Sequence, residues 1–97
     1  MQMIHGVTIE PSNPYKNQDV SISYDGLLKQ SGADCIYLHY GVDDWQNTST
    51  VEMMRLPSGN FQAVVKGSAD YELNFCFHDS AMNWDNNNGI DWAIRVF

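Results

Sequence analysis

Leu73-Asn74-Phe75-Cys76-Phe77-His78, running on through Asp79-Ser80-Ala81-Met82-Asn83 into Trp84-Asp85-Asn86-Asn87-Asn88-Gly89-Ile90-Asp91-Trp92, decides how this chain folds. Successive side chains of a strand point to opposite sides of a sheet, so Leu73, Phe75 and Phe77 are expected on a core, with Asn74, Cys76 and His78 on the other face. Upstream, residues 35–40 repeat the pattern: Ile36, Leu38 and Tyr40 inward, Cys35, Tyr37 and His39 outward. Downstream, Ile90, Trp92, Ile94 and Val96 form the apolar set of a last strand, which assigns Trp92 to the core.

Working outward, no stretch shows helix-length apolar periodicity, and short strand-like runs alternate with turn compositions. Strands are expected at about 3–10, 18–25, 34–41, 50–56, 60–66, 71–78 and 90–97. Pro11-Ser12-Asn13-Pro14, Gln30-Ser31-Gly32-Ala33, Pro57-Ser58-Gly59-Asn60 and Gly67-Ser68-Ala69-Asp70 punctuate them, through the fixed φ of Pro, the positive φ open to Gly and the local bonds of Asn and Ser. About seven short strands in a chain of 97 residues predict an all-β fold, an immunoglobulin-like antiparallel β-sandwich, with residues 1–97 as a single domain.

Composition narrows the partners. Five basic residues against twelve acidic ones give a net charge of −7. Such a balance disfavours any ligand held by charge neutralisation, so neither nucleic acid nor an anionic membrane is an expected partner. A neutral polysaccharide meets no such penalty. The start, Met1-Gln2-Met3-Ile4-His5-Gly6, has no basic region followed by a long apolar run, so no signal peptide is read there. The localisation stays open: extracellular for a piece of a larger secreted protein, cytoplasmic for a chain complete as given. Cys35 and Cys76 are too few for a disulfide scaffold, and structural thiols are the favoured reading of both. Asn47-Thr48-Ser49 matches a glycosylation sequon, which informs only in a eukaryotic secretory setting.

Two tryptophans fall outside the expected strands. Trp45 follows His39 in a polar loop, and Trp84 follows His78 in a run rich in side-chain amides. A flat ring stacks on the C–H faces of a sugar while amides offer donors and acceptors to its hydroxyls, so this pairing suits a carbohydrate. Structural readings stand beside it: Trp84 as a buried loop anchor, Trp45 as a loop plug, His39 as a solvated or locally hydrogen-bonded strand residue, and Asn86–Asn88 as turn-formers.

His39-Tyr40-Gly41 with the following Trp45, and Trp84-Asp85-Asn86-Asn87-Asn88-Gly89 leading into Trp92, resemble the starch-binding carbohydrate-binding module family 25 and its relatives in family 53. The resemblance covers roughly residues 15–97, and the Trp-Asp-Asn-Asn-x-Gly run is its specific part. It implies a β-sandwich that binds α-1,4-linked glucan (starch, glycogen, maltooligosaccharides) without catalysis. Carried over, His39, Trp45 and Trp84 would contact glucose units, with Asn86 and Asn87 supplying hydrogen bonds. It also implies covalent linkage to a larger enzyme or to further modules. The loop from His39 to Trp45 is short and acidic, and Asp91 stands where the family is expected to carry Asn.

Other chemistries find less support. Asp85 to Asp91 is oxygen-rich, but Gly89 falls fifth rather than sixth and no Glu stands twelfth, so an EF-hand is excluded on spacing. His5, His39, His78, Cys35 and Cys76 lack zinc-like spacing, and no nucleophile elbow, phosphate loop or Cys/His catalytic signature is present. No cofactor, metal site or catalytic residue is expected. The competing reading is an immunoglobulin-like interaction or spacer domain of a larger surface protein, with the tryptophans at a protein interface; a calcium-stabilised structural domain is a third.

Overall fold

The computed structural model describes residues 2–4, 6–86, 89 and 91–97, the first three through their backbone alone. Ten strands and one helical turn follow in order: β1 (Gln2–Ile4), β2 (Val7–Glu10), β3 (Asp19–Tyr24), α1 (Leu27–Gln30), β4 (Ile36–Val42), β5 (Asn47–Glu52), β6 (Met54–Arg55), β7 (Phe61–Lys66), β8 (Glu72–Asp79), β9 (Trp84–Asp85) and β10 (Trp92–Arg95). One sheet has the order β1-β2-β3-β7-β6, the other β10-β8-β4-β5 with β9 also on β8, and every pairing is antiparallel. With β1 set aside at one edge, this is the strand order of an immunoglobulin-like sandwich. The expected class is therefore the observed one.

The alternation read from the sequence builds the core. Val7, Ile9, Val20, Ile22 and Tyr24 from the first sheet meet Ile36, Leu38, Leu73, Phe75 and Phe77 from the second, all fully buried. Trp92 joins them at 3% exposure, its ring 5.2 Å from Phe77 edge-on and 6.3 Å from Phe75 in parallel. Ile94 and Val96 are buried as expected, while Ile90 lies outside the described residues.

The strand number departs from seven for local reasons. The expected strand at 3–10 is a hairpin, folded back where Gly6 takes φ +85°. The expected strand at 50–56 divides at Met53: β5 belongs to the second sheet and β6 to the first, with Met53 buried at the corner and its N–H donating to Ile36 O at 2.9 Å. The last expected strand shortens to β10, and β9 precedes it along the same edge of β8: Trp84 lies opposite His78, Asp85 opposite Phe77, then Trp92 opposite Phe75. Between these two segments the described residues Asn86, Gly89 and Asp91 stand outside the ladder. Trp84 is thus a strand residue, not a loop residue. The single turn α1 is too short to show a periodicity.

Cys35 and Cys76 are free thiols. Cys76 lies opposite His39 while Cys35 stands just before Ile36, the partner of Asp79. Four ladder positions separate the two, about 13 Å, which is beyond disulfide reach. Among the described residues no helix is long and apolar enough to cross a membrane.

Candidate functional site

Residues opposite one another in an antiparallel pair share a face, and the register of β5, β4, β8 and β9 therefore gathers rings on the outer side of the second sheet. Tyr37 is opposite His78, His78 opposite Trp84, and His39 lies between Thr50 and Cys76. The rings form a connected series. Tyr37 stacks on His78 at 5.0 Å, and His78 meets Trp84 at 4.5 Å. His39 meets the edge of Trp84 at 5.6 Å and lies nearly parallel to Trp45 at 5.7 Å and 17°. His39 Nδ1 is 2.8 Å from Thr50 Oγ1, which anchors the imidazole. Trp84 is 45% exposed, whereas His78 beneath it is only 8% exposed. The structure thus brings His39, Trp45 and Trp84 together on one open face.

Trp45 reaches this face through a strained turn. Asp43, Asp44 and Trp45 have φ of 49°, 64° and 65°, three successive left-handed residues closed by a bond from Gln46 N–H to Val42 O at 2.8 Å. Left-handed backbone costs about 1–2 kcal/mol per residue, less for Asp. Two clamps offset it. Buried Asn74 accepts at Oδ1 from the N–H of Asp44 (3.0 Å) and of Trp45 (3.2 Å), and its amide nitrogen donates to Glu72 Oε1 at 2.6 Å. The Asp43 carboxylate accepts from the N–H of Asp70, Tyr71 and Glu72 at 3.0, 2.8 and 3.2 Å. Desolvation pushes the Asp43 carboxyl up, but those three N–H groups and the nearby Lys16 outweigh it and hold it below the usual carboxylate range. Gly41 completes the device: a Cβ there would meet Trp45 Cε3 at 2.8 Å and Trp45 Cα at 3.1 Å. The glycine after His39-Tyr40 is needed because the Trp45 indole packs onto its α-carbon.

Below the rings the outer face of β8 is covered. Cys76 is buried, and burial, with the nearby carboxylates of Asp91 and Asp85, pushes its thiol up to about 12. Asp85 is also buried and accepts from Tyr24 Oη at 2.5 Å, while Tyr24 Oη accepts from Leu28 N–H at 3.0 Å. Burial and the bond to Asp85 raise the Tyr24 phenol well above its usual value. One core hydroxyl therefore ties α1 to β9.

Asn86 shapes the loop that follows. Its carbonyl accepts from Gly89 N–H at 3.1 Å and Asp91 N–H at 2.7 Å, and its Oδ1 accepts from Gly89 N–H at 3.0 Å. The turn-forming reading of this amide is the one with hydrogen bonds behind it. Asn87 lies outside the described residues. Among the described residues no three His, Cys, Asp or Glu side chains are grouped to hold a metal ion. The sequence does not reveal the positioning roles of Asp43, Asn74 and Tyr24, since each acts across the fold, and Gly41 is legible only as part of the His39-Tyr40-Gly41 run; the one local hint is the polar Asn74 in an otherwise apolar strand.

An aromatic cluster on the outer face of one sheet of an immunoglobulin-like sandwich is a surface on which a ligand could stack. The family profile described as starch/carbohydrate-binding module (family 53) matches residues 20–75. The chain belongs to that family, whose members are binding modules rather than catalysts. It is also similar to an alpha-amylase of Clostridium acetobutylicum, 32% identical over 92 residues that cover 94% of this chain. The match spans 12% of that protein's length. No solved structure matches.

Proposed function

We propose that this module binds α-1,4-linked glucan, without catalysis, on the face made by Trp45, His39 and Trp84, as one part of a larger starch-acting protein. The observation that carries this reading is His39 held between two indoles, at 5.7 Å from Trp45 and 5.6 Å from Trp84. Ring faces in water offer C–H stacking to consecutive glucose units, whose chain curvature suits two inclined aromatics better than flat cellulose does. Thr50 occupies His39 Nδ1, so Nε2 is the nitrogen that would bond a sugar hydroxyl. The Asn86 amide nitrogen and Asn87 would supply further polar contacts at the Trp84 end. Hydroxyls gain little on leaving water, so a single module should bind with Kd of roughly 10 μM to 1 mM. Tight polymer attachment would then come from several linked modules. The family membership and the amylase relative support a glucan as ligand and a larger chain as context.

Affinity electrophoresis tests the reading directly. The module should be retarded in gels containing soluble starch and run freely without it, and it should release no reducing ends from starch. Equal mobility in both gels, or sustained hydrolysis by the purified module, would refute it.

A further inference from the structure

Beyond the ring face, a groove opens between α1 and the turn joining β8 to β9. It has a volume of about 440 Å³, and Leu27, Leu28, Ser31, Asp79, Asn83 and Trp84 are among the residues that line it. We propose that this groove is a second glucose-binding subsite, which takes the part of an α-glucan chain that runs on past Trp84. The inference rests on the function proposed above and adds a place and a length preference to it.

Three observations converge on it. First, the groove is continuous with the ring face, because the Trp84 indole that meets His39 and His78 also lines the groove. A chain stacked on Trp84 is therefore already at its mouth. Second, volume and lining suit a sugar. The volume falls within the usual range of small-ligand sites, about 300–1,000 Å³. Leu27 is 63% exposed at the rim, an apolar surface left in water beside groups that bond hydroxyls. Asn83 donates one amide hydrogen to Asp79 Oδ2 at 3.0 Å and keeps its second, and the Ser31 hydroxyl is uncommitted among the described residues. Asp79 accepts from Asn83 through side chain and backbone and from Ala81 N–H. These bonds outweigh desolvation and hold its carboxyl below the usual range, so it stays an acceptor at neutral pH.

Third, the walls are fixed before any ligand arrives. Tyr24 bridges Leu28 N–H on one wall and Asp85 on the other, directly next to Trp84. Gly26 lets α1 approach that tyrosine, since a Cβ there would meet the Tyr24 ring at 2.7 Å. α1 is then closed by bonds from Gln30 N–H to Gly26 O and from Ala33 N–H to Leu28 O. A preformed groove adds little ordering cost to binding. The one charged side chain of the lining, Asp79, offers an acceptor to a sugar hydroxyl.

The consequence is a gain with chain length: an oligosaccharide just long enough to cover the ring face has no units left over for the groove. Titration calorimetry of maltotriose and maltoheptaose against wild type and Leu27→Asp reads it. Comparing the affinity ratio of the two sugars between proteins cancels the statistical advantage of the longer one. Leu27→Asp should lower that ratio about fivefold, the scale of one lost apolar contact, with maltotriose affinity unchanged. Ser31→Trp, which fills the groove from an exposed position, should do the same and serves if Leu27→Asp does not fold. A ratio that stays at the wild-type value while maltotriose still binds overturns the groove alone. Failure of wild type to bind either sugar overturns the ring-face reading with it.

Discussion

Substituting Asn74 by Ala should damage sugar binding from a position beneath the ring face. Its side chain carries two of the bonds that hold Trp45 in a left-handed run, from Asp44 N–H at 3.0 Å and Trp45 N–H at 3.2 Å. At about 0.5–1.5 kcal/mol each, those bonds amount to about 1–3 kcal/mol. The left-handed conformation they hold costs about 1–2 kcal/mol at Trp45 and less at the two Asp residues before it. The two are comparable, so removing the amide lets the turn relax and releases the indole from its parallel contact with His39. The loss is bounded by what Trp45 contributes as a stacking anchor, about 2 kcal/mol. Asn74→Ala should therefore weaken maltoheptaose binding by about 1–2 kcal/mol, roughly 5- to 30-fold. The assay is calorimetry on wild type, Asn74→Ala, Trp45→Ala and the double variant, with a denaturant melt on each. In the Trp45→Ala background the Asn74 change should cost less than about 0.5 kcal/mol, because its target is already gone. Full additivity in that cycle, or wild-type affinity in a folded Asn74→Ala, would refute the clamp.

Trp92→Ala, which removes a core indole packed on Phe75 and Phe77, should cost about 3–5 kcal/mol in a denaturant melt, whereas Trp84→Ala should leave stability nearly unchanged. Because the Asp43 carboxyl is depressed in the fold, its latch is complete above the unfolded value, about 3.9, and is lost as pH falls from there through the folded value. Folding stability should accordingly begin to fall below about pH 4, whereas maltoheptaose binding by the folded protein should persist until the pH drops through the depressed folded value, and Asp43→Asn should already bind weakly at pH 7. Wild-type affinity in a folded Asp43→Asn at pH 7 would contradict this. With Cys76 buried and its thiol raised to about 12, a disulfide reagent at pH 8 should label Cys35 first and Cys76 only on unfolding.

Much of the sandwich was legible because alternation is a local signal. Residues 73–78 and 36–40 alternate in sequence, and the structure puts Leu73, Phe75, Phe77, Ile36 and Leu38 in the core and His39 on the outer face. What escaped was set by contacts distant in sequence. Nothing local marks Met53 as the residue where the chain changes sheets, since a buried corner reads like any strand residue. Gly6 hid a hairpin inside one expected strand, and α1 is a single turn. Trp84 read as a loop residue because only two residues of β9 pair before the chain leaves the ladder. The expected ring residues were legible as aromatics outside the apolar pattern. Their supports were not: Asn74 acts on a turn about thirty residues earlier, and Tyr24 on Asp85 across the core.

The most direct test of the central claim is a calorimetric titration of wild type and Trp84→Ala with maltoheptaose, run beside a cellooligosaccharide of similar length. The account predicts measurable maltoheptaose binding by wild type, little or none with the cellooligosaccharide, and a loss of about 2 kcal/mol in a Trp84→Ala protein that melts like wild type. Equal binding of both sugars, or undiminished maltoheptaose affinity in Trp84→Ala, would contradict it.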